Sequence, residues 1–382
     1  MAGDASTAAA NPAGMTLLDR TQLLTASGAL LPSTNFDIGP KTTPARGTPL
    51  GTSGGNAGVF MPVGSLFFVY RLDERWRLGV AAYSDYGLAG NYSHQWAGRY
   101  YIDRAALITG KIAPSVAFHV NDWLSLGAGF SFAVARLTFK SRVNTLNPKL
   151  ADGGMSLESW DEAFGGNAGI LLTPMPKLRL GLTYQSPQYF KFGFRPFVSN
   201  LGKGLDAITR RIGGTKFNLP LTEPQQVMAS ARYEVLPNFS LLGNVGWQNW
   251  TEFGEFPVGI TTQKQRTVNA NLHFSDTYQI AIGQQFRIAE KWLWSAGFAF
   301  DSSPVSRTNR SAVLPVDRQL RYGTGIQYDV NRNVTAGAAW EFMDAGPGPY
   351  SIKGKPPVAG PLQGHYSTNY LNFLALNVIW KF

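Results

Sequence analysis

The end of the chain is an alternating strand that stops on an aromatic residue. Side chains of a β-strand point alternately to its two faces, so every second residue shares a face. One face of residues 370–382 carries large apolar side chains, namely Leu374, Leu376, Val378, Trp380 and Phe382. The other face includes Ala375, Asn377 and Lys381. Such a strand must lay one side against an apolar environment, and its terminal aromatic residue is typical of barrels in the outer membrane of Gram-negative bacteria.

The composition indicates that strands, rather than helices, cross the membrane. The 382 residues contain no uninterrupted apolar run of about 18 residues, the length that a transmembrane helix requires. Mean hydropathy is -0.11, as expected when only alternate residues of a strand face lipid. The chain has no Cys, which suits an exported protein and excludes disulfides and thiolate metal sites. We therefore expect Trp380 and Phe382 to be the signal that the barrel assembly machinery reads.

Tight turns and long loops alternate along the chain. They separate about fourteen segments in which apolar and polar residues alternate. Tight turns of turn-forming or charged residues occur at 73–75, 121–122, 175–177, 236–238, 289–291 and 331–333. Long polar loops occupy 32–61, 144–162, 195–221, 253–274, 303–316 and 344–366. This arrangement predicts short turns and both termini at the periplasmic rim and long loops at the extracellular rim, with residues 21–382 forming an antiparallel barrel.

The two faces of the predicted strands differ in polarity. Ile108, Ile112 and Val116, for example, alternate with Thr109 and Lys111. Aromatic residues near strand ends would form the interfacial girdles: Trp76, Trp123, Tyr233, Trp250, Trp292 and Tyr328. A soluble β-sandwich also alternates, but it rarely sustains strands of this length. The fold class predicted is therefore an all-β transmembrane antiparallel barrel of about fourteen strands.

The charge balance does not indicate a nucleic-acid partner. The 34 Lys and Arg outnumber the 24 Asp and Glu and give a net charge of +10. They are scattered over turns, loops and inward positions and form no basic stripe with interleaved aromatic residues, which nucleic-acid binding would require. Contact with outer-membrane lipids and lipopolysaccharide at the barrel rims is the simpler explanation. No phosphate-binding loop, zinc-ligand spacing or carboxylate pair stands out either, so no cofactor or metal is predicted.

The segment before the first strand carries a compact turn. Residues 10–15 read ANPAGM; proline fixes one backbone dihedral, and asparagine can bond nearby backbone. This turn, just before a barrel of this size, resembles the hatch of the FadL/TodX family of outer-membrane transporters for hydrophobic compounds. The strands at 123–132 (WLSLGAGFSF) and 315–323 (PVDRQLRYG) also resemble that family. The resemblance implies that residues 1–20 form a plug in the lumen, in which Asn11, Pro12 and Ala13 hold the hatch against a kinked strand.

The third predicted strand carries the matching kink. After Leu78, Val80 and Ala82, the next lipid-facing position falls to the polar Ser84. A glycine within a strand often marks a bulge or bend, and the segment resembles the one in which the family's barrel wall opens: Ser84, Asp85, Tyr86, Gly87 and Leu88. An ordinary strand end at the outer rim is the alternative.

The fifth predicted strand changes phase near Ala135. A bulge there would turn Arg136, Thr138 and Lys140 into the lumen. Arg136 and Lys140 would then be candidates to bind an acidic ligand head group. Because about ten residues already span the bilayer, Arg136 could equally lie at the outer interface and face lipid phosphates. The sequence leaves both placements open.

The resemblance implies passive uptake of hydrophobic molecules, either long-chain fatty acids or aromatic and aliphatic hydrocarbons, by a monomeric channel. Ligand would be captured at extracellular loops, bind in the lumen and leave sideways past the kinked strand. Apolar loop residues are candidates for the capture surface: Leu201, Leu205, Ile208, Ile212, Phe253 and Phe256. The same residues could simply pack their loops.

A general porin and an outer-membrane lipid hydrolase are the alternative functions. A general porin for small hydrophilic solutes should show opposed charged clusters, whereas the inward positions are mainly Gly, Ala, Ser, Thr and Asn. An outer-membrane lipid hydrolase would need a histidine near a nucleophile or carboxylate. Of the 4 His, His94 offers a candidate pairing with Asp85, but their spacing in sequence does not show that the two side chains meet. The protein is therefore predicted not to be an enzyme.

The start of the chain departs from the family pattern. Residues 1–20 contain no basic and apolar regions of a signal peptide, and family members carry more hatch residues before the Asn-Pro-Ala turn. We expect a native precursor that is longer at its amino terminus and carries a signal peptide. Sequencing the amino terminus of the mature protein tests this expectation, and an intact Met1 would refute it.

Overall fold

The computed structural model describes residues 3–201, 214–261, 265–306, 309–310, 315–355 and 358–382, and only the backbone of 254–271. The helices are α1 Thr7–Ala10, a 3-10 helix Pro12–Leu17, and α2 Trp250–Gly254. The strands in chain order are β1 Gln22–Ile38, β2 Met61–Arg71, β3 Trp76–Tyr83, β4 Gly87–Asn91, β5 Arg104–Asn121, β6 Leu124–Val143, β7 Gly153–Met175, β8 Leu178–Gln185, β9 Gln188–Phe194, β10 Phe197–Ser199, β11 Lys216–Glu223, β12 Gln226–Leu236, β13 Phe239–Gln248, β14 Glu255–Thr261, β15 Gln265–Asn271, β16 Thr277–Ala289, β17 Trp292–Asp301, β18 Gln319–Asp329, β19 Val334–Asp344, β20 Tyr350–Ile352 and β21 Leu362–Lys381.

The strands close into an antiparallel barrel. The first strand β1 pairs with both β2 and the last strand β21, and the closing register sets Gln22 opposite Lys381. The ring has 14 strands when β3 and β4 are taken as one. Closure pairs the first strand with the last, whose outer edges would otherwise carry unpaired backbone groups at a high cost in the membrane. The predicted fold class is therefore confirmed, and Phe382 follows the strand that closes the ring.

Alternation along the strands sorts side chains between lipid and lumen. On β5, Ile108 and Ile112 point outward and are 47% and 55% exposed, whereas Lys111 and Ala113 are buried inside. Aromatic pairs on the outer surface lie beside the short turns: the ring centroids of Trp76 and Phe118 are 4.5 Å apart, as are those of Trp292 and Tyr328, and the rings of each pair are tilted. Such amphipathic rings suit the boundary between lipid and water.

Short turns and both ends of the barrel chain lie at one rim. The amide of Phe382 donates to the carbonyl of Thr21 at 2.9 Å. In the β2–β3 turn, the amides of Trp76 and Arg75 each donate to the Asp73 carboxylate at 2.7 Å and hold the pKa of Asp73 below its usual value. An aspartate that accepts from its own turn stabilises that turn.

At the other rim, four strands form a second sheet. Its order is β15-β14-β11-β9, and each member adjoins one of the neighbouring barrel strands β8, β12, β13 and β16. The join breaks at residues 186–187 and 224–225, where Pro187 and Pro224 interrupt the ladder because proline has no amide hydrogen. We call these four strands the inner sheet, because β9 packs on the lumen face of β6 and β7.

The inner sheet contacts that face through a row of phenylalanines. Phe190, Phe192 and Phe194 pack against small side chains of the barrel, Ala133, Ala135 and Ala163. Residues 178–194 form two strands, β8 and β9, and the predicted loops at 195–221 and 253–274 contain β10, β11, β14 and β15. Proline breaks and alanine-lined space together let the chain turn inward.

Among the helices that the structure describes, none has the length and apolar character needed to cross a membrane.

Candidate functional site

The barrel wall has an opening between β2 and the β3–β4 strand. The β2–β3 ladder ends where Leu66 pairs with Ala82. Residues 61–65 of β2 continue to pair with β1, but on their other side no ladder joins them to β4 in the described part of the chain. Further along, the wall closes again, because the amide of Asn91 donates to Ala57 at 2.9 Å. We call this gap the wall opening.

A bulge in the third strand produces the wall opening. Tyr83 pairs with Lys111, whereas Gly87 pairs with Ile108, so residues 84–86 face only residues 109–110. The Thr109 hydroxyl donates to the carbonyl of Tyr86 at 2.8 Å and anchors the extra residue. An extra residue bends its strand and interrupts pairing. The structure thus has a bulge at residues 84–86, which lie within the segment from Ser84 to Leu88.

These five residues have different surroundings. Ser84 is exposed, and Gly87 lies at the rim of the wall opening on the outward face. Asp85 turns inward, where its carboxylate lies 2.5 Å from the Lys111 ammonium. Tyr86 and Leu88 contact an aromatic cluster at the rim opposite the short turns.

The aromatic cluster consists of Trp250, Phe253 and Phe274. Phe253 stacks on Phe274 at 5.6 Å and meets Trp250 edge-on at 5.1 Å. The ring of Trp250 lies 6.1 Å from that of Tyr86, and Leu88 packs against the same cluster. One of the proposed capture residues, Phe253, therefore lies beside the bend.

The other capture candidates are distributed differently. Leu201 is buried against Gly153 of β7, so it packs its loop. Leu205, Ile208 and Ile212, together with the side chain of Phe256, lie outside the residues that the structure describes.

The amino-terminal segment, residues 3–20, lies inside the barrel. The Asn11 side chain caps the 3-10 helix by accepting from the Ala13 amide at 3.1 Å, and it donates to the carbonyl of Ile170 on β7 at 3.2 Å. Glycines make room for the turn, since a Cβ at Gly127 would overlap Pro12 and Ala13. Thr16 adds a 2.8 Å hydrogen bond to Ser125.

The same contacts locate the turn relative to the bend. Asn11, Pro12 and Ala13 lie against β6 and β7, where Gly127 and Gly169 leave space. These three residues therefore contact β6 and β7, and whether they hold the segment against the bend stays a prediction. The segment contacts β3 between the bend and the β2–β3 turn, where Met15 and Ala8 lie beside Gly79.

A cavity of about 140 Å³ lies inside the wall opening. Met61 and Leu88 line it near the gap, and Leu30, Ile102 and Leu371 line it elsewhere. None of its described lining residues carries a charge. Two of its lining residues are tyrosines, Tyr92 and Tyr370, and the Tyr92 hydroxyl lies 2.8 Å from that of Tyr366. Burial raises the pKa of Tyr92 to about 12, so the phenol stays neutral.

Arg136 points away from the lumen. The β6–β7 register runs without a shift from Leu124 to Val143, so the bulge expected near Ala135 is absent. Arg136 stays on the outer face, where it donates to Glu158 at 2.6 Å and lies 5.3 Å above the Trp160 ring. Lys140 is exposed on the same face.

The remaining candidate residues, Trp380, Phe382 and His94, lie away from the wall opening's bulge. Trp380 is half-buried and Phe382 is 66% exposed at the turn rim. His94 contacts Asp103 at 2.8 Å, not Asp85.

Sequence reasoning missed two residues of the site. Lys111 carries a fully buried ammonium that contacts Asp85 and also Glu223 at the end of β11. The alternation pattern assigned Lys111 to the inward face, which was the available signal. Nothing in the sequence linked it to Glu223, 112 positions away.

A closed barrel with a segment in its lumen and a gap in its wall defines an outer-membrane transport barrel. The model of the family described as "Outer membrane protein transport protein (OMPP1/FadL/TodX)" matches residues 1–379. The chain belongs to this family, which confirms the resemblance and the outer-membrane location. As a member, it is an outer-membrane channel protein.

Known relatives agree in sequence and fold. The long-chain fatty acid transport protein of Escherichia coli O6:H1 is 25% identical over 370 residues, 90% of this chain and 82% of that protein. Outer membrane protein P1 of Haemophilus influenzae is 22% identical and covers 90% and 81%. A Pseudomonas aeruginosa FadL homologue superposes with a TM-score of 0.86 at 19% identity, covering 100% and 95%. The Pseudomonas putida toluene transporter TodX gives 0.71 at 12%, covering 99% and 94%.

Proposed function

We propose that this protein takes up hydrophobic molecules passively across the outer membrane and releases them sideways through the wall opening. The observation that carries the proposal is the uncharged cavity of about 140 Å³ directly inside that opening. Relatives are named for transport of long-chain fatty acids and of toluene. Both substrate classes remain within the proposal.

The physical reason for a sideways route is solvation. An apolar solute that crossed a water-filled pore would lose the free energy it gains on leaving water. A path from the loops to an apolar cavity and then to the bilayer keeps the solute out of water. In this route the cluster of Trp250, Phe253 and Phe274 receives the solute, and the cavity behind Met61 and Leu88 holds it.

In the same proposal the amino-terminal segment acts as a hatch. Its turn is capped and hydrogen-bonded to β7 through Asn11. The segment blocks the straight path along the barrel axis while it stays in place. Rearrangement of residues 3–20 after ligand binding would enlarge the space below the cavity and let the solute reach the wall opening.

The test is to fill the wall opening. A Cβ at Gly87 would have open space around it, with the Met61 Cε at 3.9 Å as its nearest neighbour. Gly87→Arg therefore adds a long side chain at the rim without disturbing the packing. We expect it to abolish uptake of labelled oleate and toluene in cells that lack other such channels, while heat-modifiable gel mobility shows a folded barrel.

The matched control is Gly323→Arg. A Cβ at Gly323 also has open space, with the Trp340 carbonyl at 4.0 Å, but it lies on β18, away from the gap. We expect this variant to keep most uptake. Unchanged uptake by folded Gly87→Arg would contradict the lateral route, and high conductance for small hydrophilic solutes without hydrophobic uptake would favour a general porin.

A further inference from the structure

Three charged side chains meet in the barrel beside the wall opening. The Lys111 ammonium lies 2.5 Å from the Asp85 carboxylate and also contacts the Glu223 carboxylate. The Lys111 side chain is 0% exposed, and that of Glu223 is 6% exposed. A lysine ammonium has three N–H donors, so one group can hold both carboxylates.

The three residues come from three parts of the fold. Asp85 belongs to the bulge that produces the wall opening, and Lys111 belongs to β5 behind it. Glu223 is the last residue of β11, directly before the Pro224 break at the base of the inner sheet. The ammonium therefore joins the bend in the wall to the point where the inner sheet leaves the barrel.

The burial of these charges makes the junction sensitive to the loss of any one of them. A buried ion pair that loses one partner leaves an uncompensated charge in a poorly solvated place, which is strongly unfavourable. Here loss of the ammonium would leave two carboxylates facing each other. The cluster therefore restrains Asp85 and Glu223 relative to Lys111 far more than a single exposed pair would, since exposed pairs contribute little.

A second contact runs along the same junction. Trp250 lies where β13 gives way to β14, and its ring is 6.1 Å from that of Tyr86 in the bulge. Burial of apolar area stabilises such a ring contact, and this contribution is non-directional. The ionic contact is the directional one.

We propose that Lys111 is a positioning residue that fixes the bulge and the inner sheet to each other. The shape of the wall opening and the position of the inner sheet are then set together. This role in transport rests on the proposed function, whereas the positional claim does not need it. A solute that displaced the inner sheet would also displace the bend, because Glu223, Lys111 and Asp85 connect the two.

The experiment measures two distances by electron–electron double resonance. Because the chain has no native Cys, Ser84→Cys reports the bulge and Lys191→Cys reports β9, each paired with Glu290→Cys in the exposed β16–β17 turn. In the Lys111→Met background we expect both distance distributions to broaden or shift together. Lys111→Arg, which keeps a cation, should restore the native distributions.

The matched control is Arg321→Met, which removes another inward-facing pair, Arg321 with Asp301 at 2.7 Å, on β17 and β18. It should change neither distribution. If Lys111→Met fails to fold, the neutral triple variant Asp85→Asn, Lys111→Met, Glu223→Gln decides instead, and the same joint change is expected. Native distributions in the folded variant, or movement of only one label site, would overturn the proposal.

Transport is measured separately on the same proteins. Lys111→Met should lower hydrophobic uptake several-fold, and Lys111→Arg should recover it. A native protein that takes up no hydrophobic solute would refute the proposed function while leaving the distance result intact. Changed distances with unchanged uptake would show that Lys111 positions the two segments but does not affect transport. That result would contradict its proposed role in transport.

Discussion

Gly87 and Met61 face each other across the wall opening, and the Met61 Cε lies 3.9 Å from where a Gly87 Cβ would be. No ladder joins their strands there within the described residues. The Met61 side chain therefore reaches across the gap to Gly87, so these two positions suit a crosslink between the strands.

A reversible bridge across the gap should switch uptake off and on. We expect Met61→Cys with Gly87→Cys, joined by a short cleavable thiol crosslinker, to stop hydrophobic uptake until a reductant is added. The absence of native Cys makes the bridge specific. Each single-Cys variant treated alike is the control and should keep its uptake. Uptake that persists in fully bridged protein would argue for another exit.

Loss of the Asn11 side chain should loosen the hatch. Asn11→Ala removes the helix cap and the 3.2 Å bond to Ile170, and a lost cap costs about 1 kcal/mol. We expect more frequent current openings in planar bilayers with the barrel still folded. Asn244→Ala, an inward amide on β13, should leave the conductance unchanged. Identical single-channel records for both variants would speak against a plug held at this turn.

Truncation of Phe253 should weaken capture. Phe253→Ala removes a ring that stacks on Phe274 at 5.6 Å and contacts Trp250. Loss of apolar contact area should lower the initial uptake rate at low solute concentration more than at saturation. Trp123→Ala, which removes a 54% exposed ring beside a turn, is the aromatic control. Equal rates for both variants at every concentration would contradict a capture role.

Arg136 should be dispensable for transport. Its guanidinium contacts Glu158 on the outer face, and both side chains are more than 40% exposed, so the pair contributes less than about 1 kcal/mol. We expect Arg136→Ala to take up oleate and toluene at native rates. A selective loss of oleate uptake would instead indicate that Arg136 binds the carboxylate of the ligand.

Local patterns carried most of the fold prediction. Period-two alternation and turn residues act within a few positions, so the bend near Gly87 and the later barrel strands could be predicted along the chain, namely β12, β13, β16, β17, β18, β19 and β21. The phase change near Ala135 misled, because Leu137 faces inward among Phe190 and Phe192 without any bulge. An apolar residue on the inner face suggests a register shift when the residues that cover it are distant in the sequence.

Patterns among neighbouring residues were enough to predict the barrel, its outer-membrane location and the position of the bend. Which inward side chains meet follows instead from the three-dimensional arrangement of the strands. Lys111 contacts residues 26 and 112 positions away, and Asn11 contacts Ile170 at a separation of 159. Contacts over such distances follow from how the closed ring and the inner sheet bring strands together, and no local pattern specifies that geometry.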